Sequence, residues 1–201
     1  MEKREDRRAV RSKDAILEAC LSLMEEIGFE RVTVQLVVER ANVNRSTFYA
    51  HYLDKYDLAD RLVEGRLERL VAAIRPALLH EANLTYSEEE PHPALALLFE
   101  FVAREARFFR LMFGEKGAPG FKGKLQRVVR EQLYRPLLSA YYDAARAKVS
   151  PDVMVDYVLS AHMGVIVSWL FDGMRLPPAE ITRQLNVICY VGPFRAGGVI
   201  E

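Results

Sequence analysis

An all-α fold is predicted by three features of this 201-residue sequence. Apolar residues recur at helical spacing from Ile16 to Ile27. Two short helical patterns then meet at Ala41–Val43. Further on, Tyr157 to Phe171 is long enough for a helix yet contains no Lys, Arg, Asp or Glu. No run of alternating apolar and polar residues survives as a strand, and no internal repeat is evident. The spacing divides the chain into a small N-terminal helical domain over 1–54, a larger helical domain over 55–191 and a glycine-containing tail over 192–201, expected to be disordered.

The first residues, Met1 to Lys13, set Lys3, Arg4, Arg7, Arg8, Arg11 and Lys13 against Glu2, Glu5 and Asp6. Such an arm can reach phosphates or a minor groove, and a solvated, frayed terminus explains it equally well. Ile16, Cys20, Leu23 and Ile27 form the first stripe, widened by Leu17 and Met24, and Gly28 closes that helix. Thr33 caps a second, short helix in which Val34, Val37, Val38 and Ala41 share one side, leaving Gln35, Glu39 and Arg40 to solvent. Asn42 suits the left-handed backbone of a tight helix end, and Val43 plugs the corner. Asn44 caps a third helix of about seven residues, Arg45 to His51. Phe48 and Tyr52, four apart, point inward, so Arg45, Ser46, Tyr49 and Ala50 face out.

That outward face has the chemistry of a DNA reader. A helix N-terminus with Ser46 and Thr47 offers amides and hydroxyls to phosphates. Arg45 alone has the planar fork that donates two hydrogen bonds to a guanine edge, which makes it the candidate base reader. Tyr49 and Lys55 suit the sugar–phosphate backbone, and Asp54 before Lys55 resembles the capped start of a longer helix. The candidate DNA-contacting set is Thr33, Asn44, Arg45, Ser46, Thr47, Tyr49, His51 and Lys55.

Gly28-Phe29, Thr33-Val34, Ala41-Asn42-Val43, Ser46-Thr47-Phe48-Tyr49, His51-Tyr52 and Asp54-Lys55, in this register over about Ser12 to Leu62, resemble the tetracycline-repressor family of bacterial one-component regulators. The resemblance implies an all-helical homodimer whose N-terminal domain binds double-stranded operator DNA and whose C-terminal domain binds an effector. Members of the family are most often repressors. Asn42 and Val38 stand where the family usually has Gly and a small Ala.

Composition limits the other possibilities. The 28 basic and 28 acidic residues cancel, so any nucleic-acid surface is local rather than spread over the chain. Cys20 and Cys189 lie far apart in apolar patterns, which predicts two buried thiols, no disulfide and no metal framework. No phosphate loop, His-Glu-x-x-His, paired cysteines or nucleophile elbow is present, so neither an enzyme nor a cofactor is expected. His80 and His92 flank an acidic loop at no ligand spacing and read as solvated. No apolar signal segment opens the chain, and Tyr157 to Phe171 is short for an ordinary membrane span; a cytoplasmic protein without a membrane partner is expected.

Beyond Asp54 the helices lengthen. One is expected from Tyr56 to about His80, kinked or ended by Pro76, joining the two domains. A loop follows over Glu81 to Pro93, then helix over Ala94–Arg104 and Phe108–Phe113. After a break at Gly114–Gly120, a long helix from Phe121 to Lys148 should bend near Pro136. The last two run over Pro151–Asp172 and Pro178–Tyr190. The charge-free Tyr157–Phe171 segment must be covered on several sides. Small residues at Ala161, Gly164 and Ser168 admit another helix closely, and Ile181, Leu185, Ile188 and Cys189 form a second stripe. A homodimer through a four-helix interface is therefore expected, formed by Tyr157, Ala161, Gly164, Val165, Ser168, Ile181, Leu185 and Ile188.

Aromatic and sulfur-containing residues nominate an effector pocket of Phe108, Phe109, Met112, Tyr134, Tyr141, Tyr157, His162 and Trp169 for an unknown small molecule. Ordinary core packing is the competing explanation for each of them. Phe109–Glu115 and Trp169–Met174 resemble regulators of dihydroxyacetone metabolism in Gram-positive bacteria, a subgroup in which some members answer to a protein partner. The competing function is a helical adaptor, or a regulator controlled by such a partner, whose helix-turn-helix binds DNA weakly or not at all.

Overall fold

The structure is a computed structural model that describes residues 2–81 and 90–200, and every described element is helical. The order is α1 (Glu2–Ile27), a 3-10 turn (Phe29–Arg31), α2 (Val34–Arg40), α3 (Arg45–Tyr49), α4 (Lys55–Leu78), α5 (Pro93–Arg104) and α6 (Ala106–Phe113). Then come α7 (Phe121–Val129), a π-turn (Arg130–Tyr134), α8 (Arg135–Tyr141), α9 (Pro151–Phe171), α10 (Pro178–Val191) and α11 (Pro193–Ala196).

Contacts gather the chain into two compact units. The first comprises Met1–Arg66 with Leu111–Phe121, and the second Leu67–Arg110 with Lys122–Glu201. The expected boundary after residue 54 thus falls inside the first unit, which also takes the opening turns of α4 and a segment 45 residues further along, from 66 to 111.

In the first unit the stripe of α1 behaves as its spacing demands: Ile16, Cys20, Leu23 and Met24 are buried together with Phe29, Val37, Phe48, Leu58 and Leu62. Asn42 takes the left-handed backbone, φ 53°, that the corner between α2 and α3 requires, and Val43 N–H closes the turn on Val38 O at 3.0 Å. The third helix is shorter than expected, ending at Tyr49 with Ala50 as its C-cap.

The end of α1 is closed by groups from three places. Gly28 N–H donates to Met24 O at 2.9 Å, Lys116 Nζ to Glu25 O at 2.6 Å and Glu26 O at 3.3 Å, and Arg31 Nε to Ile27 O at 2.6 Å. All four terminal carbonyls are therefore satisfied, and the two cations lie where the helix dipole favours them. Lys116 also accepts through its own carbonyl from Phe29 N–H at 3.0 Å. Gly117 makes this approach possible: a Cβ there would sit 2.8 Å from both Leu111 O and Met112 O.

The second unit buries Phe99, Phe101, Val102, Phe108, Phe109, Trp169, Leu170 and Leu185. Phe99 and Trp169 meet edge to face at 5.3 Å, a favourable ring arrangement. Trp169 Nε1 donates to Leu176 O at 2.8 Å, and Arg110 Nε to Leu170 O at 3.0 Å near the end of α9.

Pro76 lies in the last turn of α4, which stops at Leu78, in line with the helix expected to end there. Several other expectations change. The helix expected to reach Lys148 ends at Tyr141, because Asp143 turns the chain by accepting from Ala145 N–H at 2.9 Å and Ser150 then caps α9. Rather than being solvated, His92 caps α5: its Nδ1 accepts from Ala94 N–H at 3.1 Å, its backbone N–H donates to Oδ1 of buried Asn186, and burial lowers its pKa. Cys20 is buried as expected, whereas Cys189 is exposed. The tail is not featureless: α11 is closed by Val199 N–H on Phe194 O at 2.8 Å. By length and composition alone α9, at 21 residues, would be long and apolar enough to cross a membrane, a test that an apolar packing helix passes as well.

Gly117→Ala should destabilise the first unit by about 1–3 kcal/mol, the usual cost of overpacking where backbone must yield. Thermal unfolding checks this, and an unchanged melting temperature would contradict the close approach at Gly117.

Candidate nucleic-acid interface

The helix pair presents its polar residues from short, well-capped elements. Thr33 Oγ1 accepts from Leu36 N–H at 3.3 Å and so fixes the start of α2. Asn44 caps α3: its Oδ1 draws in Thr47 N–H, Thr47 Oγ1 and Ser46 Oγ, each at 2.7 Å. Both hydroxyls thus donate internally and must turn before they can donate to a phosphate. Phe48 and Tyr52 face inward, 0 % and 2 % exposed, their ring centroids 5.6 Å apart.

Arg45, Ser46 and Tyr49 are exposed side by side on the outer face of α3, and Thr33 and Asn44 are exposed at the two caps. His51, half-buried, packs its ring beside Tyr52 with centroids 6.2 Å apart. The outward geometry expected for Arg45 therefore holds, but its guanidinium is not free: Nε and Nη2 donate to Gln35 Oε1 at 3.0 and 2.6 Å. The sequence pattern left Gln35 to solvent. Only its position two residues into α2, facing the start of α3, signals that pairing.

Lys55 departs from the backbone-contact role. Its Nζ donates to Glu30 O at 2.9 Å and Phe29 O at 3.2 Å, and it lies 4.9 Å from the Phe29 ring centroid and 5.3 Å from that of Tyr56. The ammonium ties the start of α4 to the turn after α1, where carbonyls and ring faces both favour a cation. Asp54 and Asp57 make the adjoining cap: Asp54 Oδ1 accepts from Tyr56 and Asp57 N–H at 2.8 and 2.9 Å, and Asp57 Oδ2 from Leu53 N–H at 3.0 Å.

Three neighbouring groups show the electrostatics around this face. Arg40 grips Glu26 in a two-pronged pair at 2.6 and 2.8 Å, joining α2 to α1 and lowering the Glu26 pKa mainly through the hydrogen bond. Tyr52 Oη is buried with no hydrogen-bond partner among the described residues. Burial, with the Asp57 charge adding to it, pushes that phenol up to about 12. Cys20 is likewise pushed up to about 12 by burial, with the Lys55 charge opposing.

The residues nominated for an effector pocket are drawn from both compact units, Met112 from the first and the others from the second. Phe108, Phe109 and Trp169 are tightly buried core. Tyr141 is 40 % exposed and donates to Leu79 O at 2.8 Å, and Tyr157 is 56 % exposed on α9. Neither reaches inward, because each sits on the solvent side of its helix. Tyr134 and His162 remain. His162 Nε2 lies 3.2 Å from Cys189 Sγ, with its pKa lowered to about 4 by burial; burial also raises Tyr134, aided by nearby Cys189. Among the described residues no group of three or more His, Cys, Asp or Glu is placed to hold a metal ion.

The dimer stripe is also redistributed. On α9, Tyr157, Gly164 and Ser168 are exposed and Ala161 and Val165 flank them. Ile188 on α10 is partly exposed. Ile181 and Leu185 instead turn into their own chain, 9 % and 2 % exposed, because α10 packs that side against α5.

Lys55→Ala should lower the stability of the first unit by about 1–2 kcal/mol, through loss of charge-assisted bonds to two carbonyls. Arg45→Ala should leave the unfolding free energy within about 0.5 kcal/mol of wild type, as surface substitutions generally do. Paired denaturation curves test this; equal stability of the two variants would return Lys55 to a purely DNA-facing role.

Comparison with known proteins agrees with this geometry. Residues 16–62 match the model of bacterial regulatory proteins of the tetR family, and residues 89–190 match a transcriptional regulator C-terminal region. The chain is 23% identical over 172 residues to the Bacillus subtilis (strain 168) protein described as uncharacterized HTH-type transcriptional regulator YxbF, a match over 85% of this chain but 42% of that protein. The chain thus spans less than half the length of that relative. Among solved structures it resembles a TetR transcriptional regulator from Streptococcus agalactiae, with TM-score 0.67, 23% identity and coverage of 94% and 98% of the two chains. It also resembles FadR from Bacillus subtilis in complex with stearoyl-CoA, with TM-score 0.69, 10% identity and coverage of 89% and 98%. With its N-terminal helix-turn-helix and the matching C-terminal region, the chain belongs to the tetR family of transcriptional regulators.

Proposed function

We propose that this protein is a dimeric, ligand-responsive transcriptional regulator, acting as a repressor, that binds a near-palindromic operator. The observation that carries the reading is the outer face of α3, where Arg45, Ser46 and Tyr49 stand exposed above a buried Phe48. Arg45 reads a guanine, and Thr33, Thr47, Tyr49 and His51 hold the sugar–phosphate backbone. Residues 1–54 carry this activity, and residues 55–191 carry dimerisation and effector binding.

The pairing of protomers rests on α9. Val153, Tyr157, Ser160, Gly164, Ser168 and Phe171 form one exposed stripe along it, with no charged side chain from Tyr157 to Phe171. An uncharged stripe of that length favours burial against a second copy. Two recognition helices about 34–36 Å apart then meet successive major grooves. The effector is a small molecule with an apolar body and a polar group, the latter meeting Tyr134 and His162. The stearoyl-CoA held by the FadR structure has that general character. Two helices, α4 and α6, each contribute residues to both compact units, so a ligand that binds the DNA-free form more tightly can release the operator through them.

Selection of bound sequences from random duplexes tests the DNA reading. A two-fold-related motif is expected, and enrichment of no sequence would instead mark a helical adaptor. On the selected duplex, Arg45→Ala should cost about 1–3 kcal/mol and relax preference at one base pair in each half-site.

Gly164 tests the dimer separately. A Cβ at Gly164 meets nothing within 4 Å in the single chain, so Gly164→Lys leaves the protomer folded. Sedimentation should show dissociation to monomers at micromolar concentration together with weakened operator binding; a dimer of wild-type stability would place the interface elsewhere.

A further inference from the structure

Arg45 is one end of a three-residue chain across the helix pair. Its Nε and Nη2 donate to Oε1 of Gln35 at 3.0 and 2.6 Å, and Nε2 of Gln35 donates to Oε1 of Glu39 one turn later on α2. A carboxamide taken alone can point either way, since its oxygen and nitrogen exchange by a half-turn. Here a guanidinium can only donate and a carboxylate only accept, so the two partners together select one orientation of Gln35.

The consequence for Arg45 is geometric. A guanidinium carries five N–H donors in a rigid plane. Gln35 occupies the Nε–Nη2 edge, leaving the Nη1–Nη2 edge to donate outward. A guanine offers O6 and N7 as two adjacent acceptors, which two N–H groups from one such edge satisfy together. Holding the fork before DNA arrives also reduces the ordering cost of a long, flexible side chain.

We propose that Gln35 is a specificity-determining positioning residue: it fixes Arg45 so that the Nη1–Nη2 edge meets guanine, and Glu39 fixes Gln35. The proposal rests on the reading of Arg45 as the base reader. It assigns Gln35 and Glu39 no base or phosphate of their own. Both act through Arg45.

The test uses the full-length protein and the duplex it selects from a random pool, with binding measured on that duplex and on every single-base variant of it at several salt concentrations. Gln35→Met keeps the side-chain length and removes both polar atoms. It should lower discrimination about fivefold, the scale of one lost hydrogen bond, at the same base pair that Arg45→Ala relaxes. The slope of affinity against salt should stay unchanged, because no phosphate contact is lost. The Gln35→Met, Arg45→Ala double variant should discriminate no worse than Arg45→Ala alone. Glu39→Ala should relax the same base pair by a smaller factor.

Undiminished selectivity of Gln35→Met at the Arg45 base pair overturns the proposal while leaving Arg45 as reader. Relaxation at a different base pair, additive with Arg45→Ala, overturns it in favour of Gln35 reading a base directly. If Arg45→Ala relaxes no position, or the wild-type protein selects no sequence, the reading of Arg45 fails and the proposal falls with it. Melting temperatures within one degree of wild type are expected for Gln35→Met, consistent with its exposed position, and a larger loss would make Gln35 a folding residue instead.

Discussion

The closure of α1 at its C-terminal end is the constraint on which the DNA-facing unit depends. A helix end leaves carbonyls that must be paired, and here Gly28 N–H, Lys116 and Arg31 cover the carbonyls of Met24, Glu25, Glu26 and Ile27. Beyond Gly28, whose carbonyl accepts from Arg31 N–H, the carbonyls of Phe29 and Glu30 receive Lys55. Three cations, two of them from distant points in the sequence, thus converge on five carbonyls between Glu25 and Glu30. Each bond is modest alone, but together they fix where α1 stops and the chain turns toward α2. Phe29, buried within that turn, then packs against Tyr56 at 5.4 Å.

With the turn held, the orientation of α3 follows from few further interactions. Arg40 pairs with Glu26 across α2 and α1, Asn42 supplies the left-handed corner, and Phe48 fills the core beneath. A five-residue helix has little stability of its own, because helix nucleation costs more than one turn returns. Its direction is set by what surrounds it: the Asn44 cap and the buried Phe48. On this supported helix the Arg45 guanidinium is held by Gln35 before any partner arrives.

Much of this was legible in the sequence where local chemistry and periodicity agree. The α1 stripe, the Thr33 and Asn44 caps, the left-handed Asn42 and the inward Phe48 and Tyr52 all arise within four residues of their causes. Lys55 and Lys116 were not legible as carbonyl caps, because their partners lie 25 or more residues away in sequence and a lysine looks the same in either role. For the same reason Cys189 read as buried and His92 as solvated: an apolar neighbourhood in sequence does not reveal which face of a helix a neighbour covers. Ile181 and Leu185 matched the spacing of a dimer stripe, and spacing alone cannot distinguish a partner chain from α5 of the same chain.

That last ambiguity sharpens the argument for α9. Val155, Leu159, Met163, Ile166 and Leu170 already supply one complete inward stripe, the amount a surface helix of a single chain requires. An ordinary surface helix would carry charge on its remaining faces. From Tyr157 onward α9 carries none, and its exposed line runs through Gly164 and Ser168, whose small side chains keep no other helix at a distance. Hydrophobic burial within one chain therefore accounts for only one face. The absence of charge on the opposite face is the feature that a close-packed symmetry mate explains, and α10, having turned Ile181 and Leu185 inward, is left with Ile188 to offer at its edge.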